Sequence, residues 1–344
     1  MRFGVGLPTC REGTAYPVPY VRPQDFATLA ARAEELGFYS LWANDHLTTP
    51  HVIQATQADA PNFYEPLITY ASLTHVTRRL RLVLSVLVLP HRDVVVVAKQ
   101  LATLDVLTGG RVMLGLGIGA YREEFEAVRP ELRGANRGAL LEEGIRALQL
   151  LFTQRRASLQ GTHIRFAEIE LAPKPMQRPF PIYVSAHEAA GFRRAGRLGD
   201  GLIVAGLARD RIGEARATMT AAAVQAGRDP ARLSVHFQIW LSFGRDRAEA
   251  EAKLRQSQHF RRTVARDPER SEEKALAQYR AGNLFGHPDD VIQQLREFER
   301  LGVAHVGVVF LGSTRDELLA DMELFAERVM PAFPEAEPAG GERS

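Results

Sequence analysis

The sequence has a single cysteine, Cys10, so no disulfide can form within the chain and no cysteine-based metal cluster can be built. A lone buried thiol is expected. No run is apolar for long enough to span a bilayer: residues 80–90 and 303–311 are the longest, and both are short and interrupted. Neither sign of charge dominates, with 43 basic and 41 acidic residues, so there is no field to draw nucleic acid or an anionic membrane. The first eight residues show no basic region, signal-length apolar stretch or cleavage site, which predicts a cytoplasmic protein that is folded from its first strand. Metal chemistry also lacks a basis. His51, His75, His163, His236, His259, His287 and His305 have no ligand spacing, no H-x-H follows the first strand, and no G-x-S-x-G is present. A small-molecule partner remains as the default.

What is present is alternation. Near-continuous Val, Leu and Ile runs suit strands covered on both faces, as in a parallel sheet flanked by helices. Strands are predicted near 2–7, 39–43, 80–88, 111–116, 181–185, 201–205, 233–241 and 304–311, each followed by a helical pattern. Pro23-Gln-Asp25 opens one helix, with Phe26, Leu29, Ala30, Ala33 and Leu36 on one face and Gly37 as its stop. Thr314-Arg-Asp-Glu317 is a capping box for the last, which continues through Leu318, Met322, Phe325 and Val329. Eight βα units in 344 residues, 45% of them hydrophobic, predict one α/β domain, a (β/α)₈ TIM barrel over 1–330. Three long connections interrupt it, at 44–65, 156–180 and 242–286. The first and third would project from the C-terminal mouth, whereas the proline-rich second reads as scaffold. The segment 331–344 reads as a flexible tail.

Several residues at strand ends can carry chemistry. Trp42-Ala-Asn44-Asp45-His46 closes the second strand and places an amide, a carboxylate and an imidazole at the mouth; a carboxylate beside a histidine can orient it for proton transfer. Ser85-Val86 puts a hydroxyl inside an otherwise apolar third strand, where it must find a partner. Gly115-Leu-Gly117-Ile-Gly119-Ala120 matches a dinucleotide fingerprint in form only: three βα units precede it, and no second strand ends in an acidic residue about 20 positions on. Its glycines instead suit close approach to a planar ligand. Ser185-Ala186-His187-Glu188 opens a helix whose free amides suit a phosphate, although Glu188 would repel one unless it caps the helix. His91-Arg92-Asp93 reads as a helix-opening cluster with a possible substrate contact.

Together, residues 33–46, 98–119, 172–177, 193–201 and 287–302 resemble the bacterial luciferase-like monooxygenase superfamily, barrel oxidoreductases that use reduced flavin mononucleotide (FMN) or the deazaflavin coenzyme F420. The resemblance implies that Asp45 and His46 lie where the family makes polar contacts to the isoalloxazine-like ring and, in deazaflavin enzymes, holds an acid/base group, with Asn44 beside them in the cofactor site, His46 as the proton partner and Asp45 orienting it, and that Ser85-Val86 is a non-prolyl cis peptide beneath the ring. It places Gly117, Ala120 and Tyr121 in a ring-contacting loop and Ala186, His187 and Glu188 at the phosphate-binding start of the fifth helix. There the sequence departs from the family's frequent Gly-Gly and small polar residue. The deazaflavin branch is favoured, with hydride transfer to or from a small organic substrate. The alternatives are an FMN-dependent two-component monooxygenase, which would need a flavin reductase, and a non-catalytic flavin-binding barrel. The family also implies a homodimer.

Overall fold

The computed structural model describes residues 1–265 and 271–334. In chain order its strands are β1 (Arg2–Gly6), β2 (Ser40–Ala43), β3 (Arg81–Val88), β4 (Val112–Gly117), β5 (Ala157–Gln160), β6 (Arg165–Ile169), β7 (Ile182–Val184), β8 (Gly201–Ala205), β9 (Ser234–Phe243), β10 (Leu284–Gly286) and β11 (Val303–Phe310). Eight of them close a parallel ring in the order β1-β2-β3-β4-β7-β8-β9-β11, sealed by the β8–β9 and β11–β1 pairings. These are the eight strands expected from the sequence, and the fold is a TIM barrel. Two features were not foreseen. The connection at 156–180 holds the antiparallel hairpin β5–β6, and the connection after β9 ends in β10, which pairs in parallel with Leu241–Phe243 beyond the barrel rim.

The flanking helices follow the expected signals. The helix Pro23–Glu35 buries Phe26, Leu29, Ala30 and Ala33, and Gly37, at φ 82°, takes the left-handed turn that ends it. The helix Arg315–Arg328 starts with Thr314 Oγ1 accepting from the Glu317 amide at 3.2 Å. Residues 331–333, expected to begin a flexible tail, are ordered: Met330–Ala332 form a 3₁₀ turn and Phe333 is buried edge-on against Phe3, while 335–344 of that expected tail lie outside the described residues. Among the described residues no helix is long and apolar enough to cross a membrane.

Inside the ring, Trp42 fills the space left by two glycines. A Cβ on Gly307 would lie 2.2 Å from the indole, and one on Gly4 would lie 2.5 Å from its Nε1. Below it runs a buried polar chain. Trp42 Nε1 donates to Ser40 Oγ (2.8 Å), which meets His305 Nε2 (2.7 Å); His305 Nδ1 meets His236 Nδ1 (3.1 Å), and His236 Nε2 meets Ser234 Oγ (2.7 Å). Burial holds both imidazoles well below the usual histidine range, His236 at about 3. They are neutral at physiological pH, so one Nδ1 carries the proton and the other accepts it.

Candidate active site

A cavity of about 600 Å³ opens at the C-terminal end of the barrel. The ends of four strands bring ten of the sequence-predicted residues to it: Asn44, Asp45 and His46 after β2, Ser85 and Val86 in β3, Gly117 and Ala120 at β4, and Ala186, His187 and Glu188 after β7. Tyr121 stands beside it, its ring 5.9 Å from that of His46. The Ser85–Val86 peptide is cis, and the β3–β4 register shifts between Leu84 and Leu87 around it.

The partners of His46 and Asp45 differ from expectation. Asp45 does not orient His46. Its carboxylate is buried and accepts from Arg92 Nη2 (2.6 Å) and Nε (3.3 Å) and from the Val88 amide (2.9 Å), tying the end of β2 to the end of β3. Consecutive residues on a chain leaving a strand point to opposite sides, so Asp45 and His46 diverge. Glu124, on the helix Arg122–Val128, takes the orienting place: His46 Nδ1 lies 2.9 Å from Glu124 Oε2, and Oε1 accepts from the Leu47 amide at 2.8 Å. Burial would raise the Glu124 pKa, but the hydrogen bond and charge of His46, the Leu47 amide and His91 outweigh it and hold the carboxyl below the usual range. A carboxylate only accepts, so Nδ1 carries the proton in neutral His46 and Nε2 is the basic nitrogen. In the neighbouring cluster, Asp93 caps the next helix through the Val95 and Val96 amides, while His91 is buried and kept deprotonated by burial.

Several observations fit the cavity to a flavin-type group. Asn44 Oδ1 is sealed from solvent and unpaired, an acceptor suited to a ring N–H. Gly117 lets Val86 pack directly against the end of β4 in the cavity wall, since a Cβ there would lie 2.6 Å from Val86 Cγ2. At the far end the start of the helix Arg137–Thr153 is already capped by Asn136 Oδ1, whereas the helix Ala189–Leu198 begins without a side-chain cap beside Arg194, whose Nε also lies 3.3 Å from Glu142 Oε1, and this uncapped start suits phosphate. Glu188 neither caps nor blocks it. Its side chain makes no cap bond, is 81% exposed and lies 3.8 Å from Arg211. His187 Nε2 is bonded to the Ala205 carbonyl, which fixes the start of the helix.

A scan of protein families matches residues 1–305 to the luciferase-like monooxygenases. The chain belongs to that family. It is 27% identical over 328 residues to the F420-dependent glucose-6-phosphate dehydrogenase of Amycolatopsis mediterranei (strain U-32), covering 90% of this chain and 94% of that one. It is 26% identical over 359 residues to the FMNH(2)-dependent dimethylsulfone monooxygenase of Pseudomonas putida, covering 97% and 93%. In fold it matches an F420-dependent secondary alcohol dehydrogenase in complex with an F420-acetone adduct, with TM-score 0.78 and 20% identity over 97% of this chain and all of that one. Luciferase-like oxidoreductases of both cofactor types are therefore among its relatives.

The sequence did not point to Glu124, Arg194, Gln238 or Trp240. Glu124 stands among Glu123 and Glu126 in one short helix, and only the closed ring shows which of them meets His46. Gln238 and Trp240 alternate along β9 and both reach the cavity.

Proposed function

We propose that this luciferase-like chain is a coenzyme F420-dependent dehydrogenase that transfers hydride between the deazaflavin and a small alcohol or carbonyl compound. The His46–Glu124 pair at the mouth, next to the Ser85–Val86 bend, carries the reading. When bound, a deazaflavin supplies hydride acceptance or donation without oxygen activation, because carbon stands where a flavin has N5. In alcohol oxidation the substrate O–H proton passes to His46 Nε2 as the C–H hydride leaves, and the product is a carbonyl compound. Glu124 holds the ring in that tautomer and balances the imidazolium that forms. Asp45 and Arg92 brace the loop under Asn44, and Arg194 with the uncapped start of the helix Ala189–Leu198 would hold the anionic end of the cofactor.

The dimethylsulfone monooxygenase relative, which aligns with nearly the whole chain, supports a second reading, FMN-dependent oxygenation with a separate flavin reductase. The test is to load the apoprotein with each cofactor and follow deazaflavin absorbance under a panel of alcohols, aldehydes and enones. Substrate-dependent reduction of the deazaflavin without oxygen uptake is the expected result. Turnover that requires reduced FMN and oxygen would transfer the chain to the second reading.

A further inference from the structure

Beside the cofactor cavity lies a second one of about 610 Å³, a volume in the range of pockets that enclose drug-sized ligands and more than a two- or three-carbon alcohol needs. Trp240 stands in the wall of both, so its side chain is the partition between them. The second cavity also adjoins the proton partner. Arg262 in its wall reaches the Tyr121 hydroxyl through Nη1 (3.3 Å), and the Tyr121 ring lies 5.9 Å from that of His46. A molecule in this cavity is thus one side chain away from the cofactor and two from the imidazole.

The walls set the chemistry of what can enter. One part is aromatic, made by Trp240, His259, Phe260 and Tyr279; the rings of Trp240 and His259 stack at 4.7 Å, and Tyr279 meets His259 edge-on at 6.0 Å. Trp240 is only half-buried, which leaves part of it open to a ligand. The titratable rings in this wall carry no charge. Burial, with the Arg262 and Arg11 cations, holds His259 at about 3, and burial raises the Tyr279 phenol well above its ordinary range. The other part of the wall is polar and mostly neutral: Thr263 Oγ1 donates to the His259 carbonyl (2.8 Å), and Asn283 Oδ1 accepts from the Trp240 amide (3.1 Å). Among the described lining residues there is no carboxylate, and the one cation, Arg262, is engaged by the Thr14 carbonyl at Nε (3.1 Å) and by Tyr121 at Nη1. An ammonium would therefore face Arg262 with no carboxylate to hold it. A carboxylate or phosphate would exchange water for a guanidinium that already has partners, and a polyol would turn hydroxyls toward rings that cannot satisfy them.

We propose that the substrate is a neutral alcohol or carbonyl compound with an aromatic or alicyclic body, the body lodged in the second cavity against Trp240, Phe260 and Tyr279 and the reacting carbon at the Trp240 partition. Trp240 is then the specificity-determining residue, because it borders both spaces. This inference names the substrate class of the dehydrogenase proposed above and rests on that reading only for the reaction.

The test keeps one ring and changes its head group. Benzyl alcohol, benzylamine, benzoate and phenyl phosphate, with glucose as a neutral polyol, are titrated by calorimetry into the apoprotein and the cofactor-loaded protein. Benzyl alcohol should bind saturably and about 10-fold or more tighter than each of the others, the weight of leaving a charge or hydroxyls poorly paired. It should also alter tryptophan emission; Trp42 is sealed in the barrel, so Trp240 is the reporter. Two variants locate the ligand. Thr263→Phe puts a ring into the second cavity and should weaken benzyl alcohol by about 10-fold or more with cofactor affinity unchanged, because a filled space cannot take a second ring. Trp240→Ala should weaken it by about 2- to 10-fold, the range of one aromatic contact. Equal or tighter binding of any charged head or of glucose, or unchanged benzyl alcohol binding in Thr263→Phe, would overturn the inference, and the parent ranking stands even if a variant does not fold. Cofactor titration of the same samples separates the two readings. Deazaflavin binding without a preference for benzyl alcohol removes this inference alone, and that preference without deazaflavin binding removes the redox reading alone.

Discussion

The two ends of the barrel treat buried polar groups in opposite ways. At the N-terminal end all four ring nitrogens of His236 and His305 have partners, in a chain from Trp42 through Ser40 to Ser234. At the C-terminal end Asn44 Oδ1, Gln238 Nε2, Trp240 Nε1, His259 Nδ1 and the Nε and Nη2 of Arg11 are sealed from solvent without a partner. An unmade buried hydrogen bond costs about 1–3 kcal/mol, so a protein keeps such groups only where a ligand or water completes them. The same kind of side chain thus supports the fold at one end and, in the function proposed above, would meet a ligand at the other. Substitutions should separate these roles by sign.

The largest effect is expected at the mouth. His46→Ala should lower hydride-transfer turnover by about 10²- to 10⁴-fold, the usual weight of a general acid/base, with cofactor affinity nearly intact. Single-turnover kinetics beside a binding titration would check it; an unchanged rate removes His46 from the chemistry. The next effect falls at the opposite end. His305→Leu removes one of the two partners from both Ser40 and His236 and should cost about 1–3 kcal/mol in urea unfolding, with no change in cofactor affinity. Equal stability would mean that the network contributes little.

Glu124 links stability to pH. Its folded pKa is depressed, so its contribution is fully present above the unfolded value near 4.5 and is lost as pH falls through the lower folded value. Melting curves of the parent and Glu124→Gln should therefore differ at neutral pH and converge in acid; a constant gap would contradict the assignment. The smallest effect, opposite in sign to that of His305→Leu, is expected at Gln238→Leu. Removing an unpaired buried donor should leave unfolding unchanged or raise stability by up to about 1 kcal/mol while weakening ligand binding.

How much of this was legible in the sequence follows from what local pattern can encode. The barrel strands were readable because strands covered on both faces become Val- and Leu-rich runs, as in β3 and β11. The β5–β6 hairpin was not, because its short strands are half exposed and alternate weakly around Gly161. Residues tied to a strand end, such as Asn44 and His46, could be placed at the mouth from position, and the structure brings them to the cavity there. The His46–Glu124 pair arises only when the ring closes, bringing together residues 78 positions apart. Asp45 shows the reverse error, since adjacency in sequence suggested a contact that backbone direction forbids.

The proposed function requires that the unsatisfied end of the barrel bind a deazaflavin. Equilibrium titration of the apoprotein with coenzyme F420 and with FMN, side by side, tests it most directly. Both should bind saturably with F420 the tighter; binding of neither would rule out the site itself, and tighter binding of FMN would rule out the assigned chemistry.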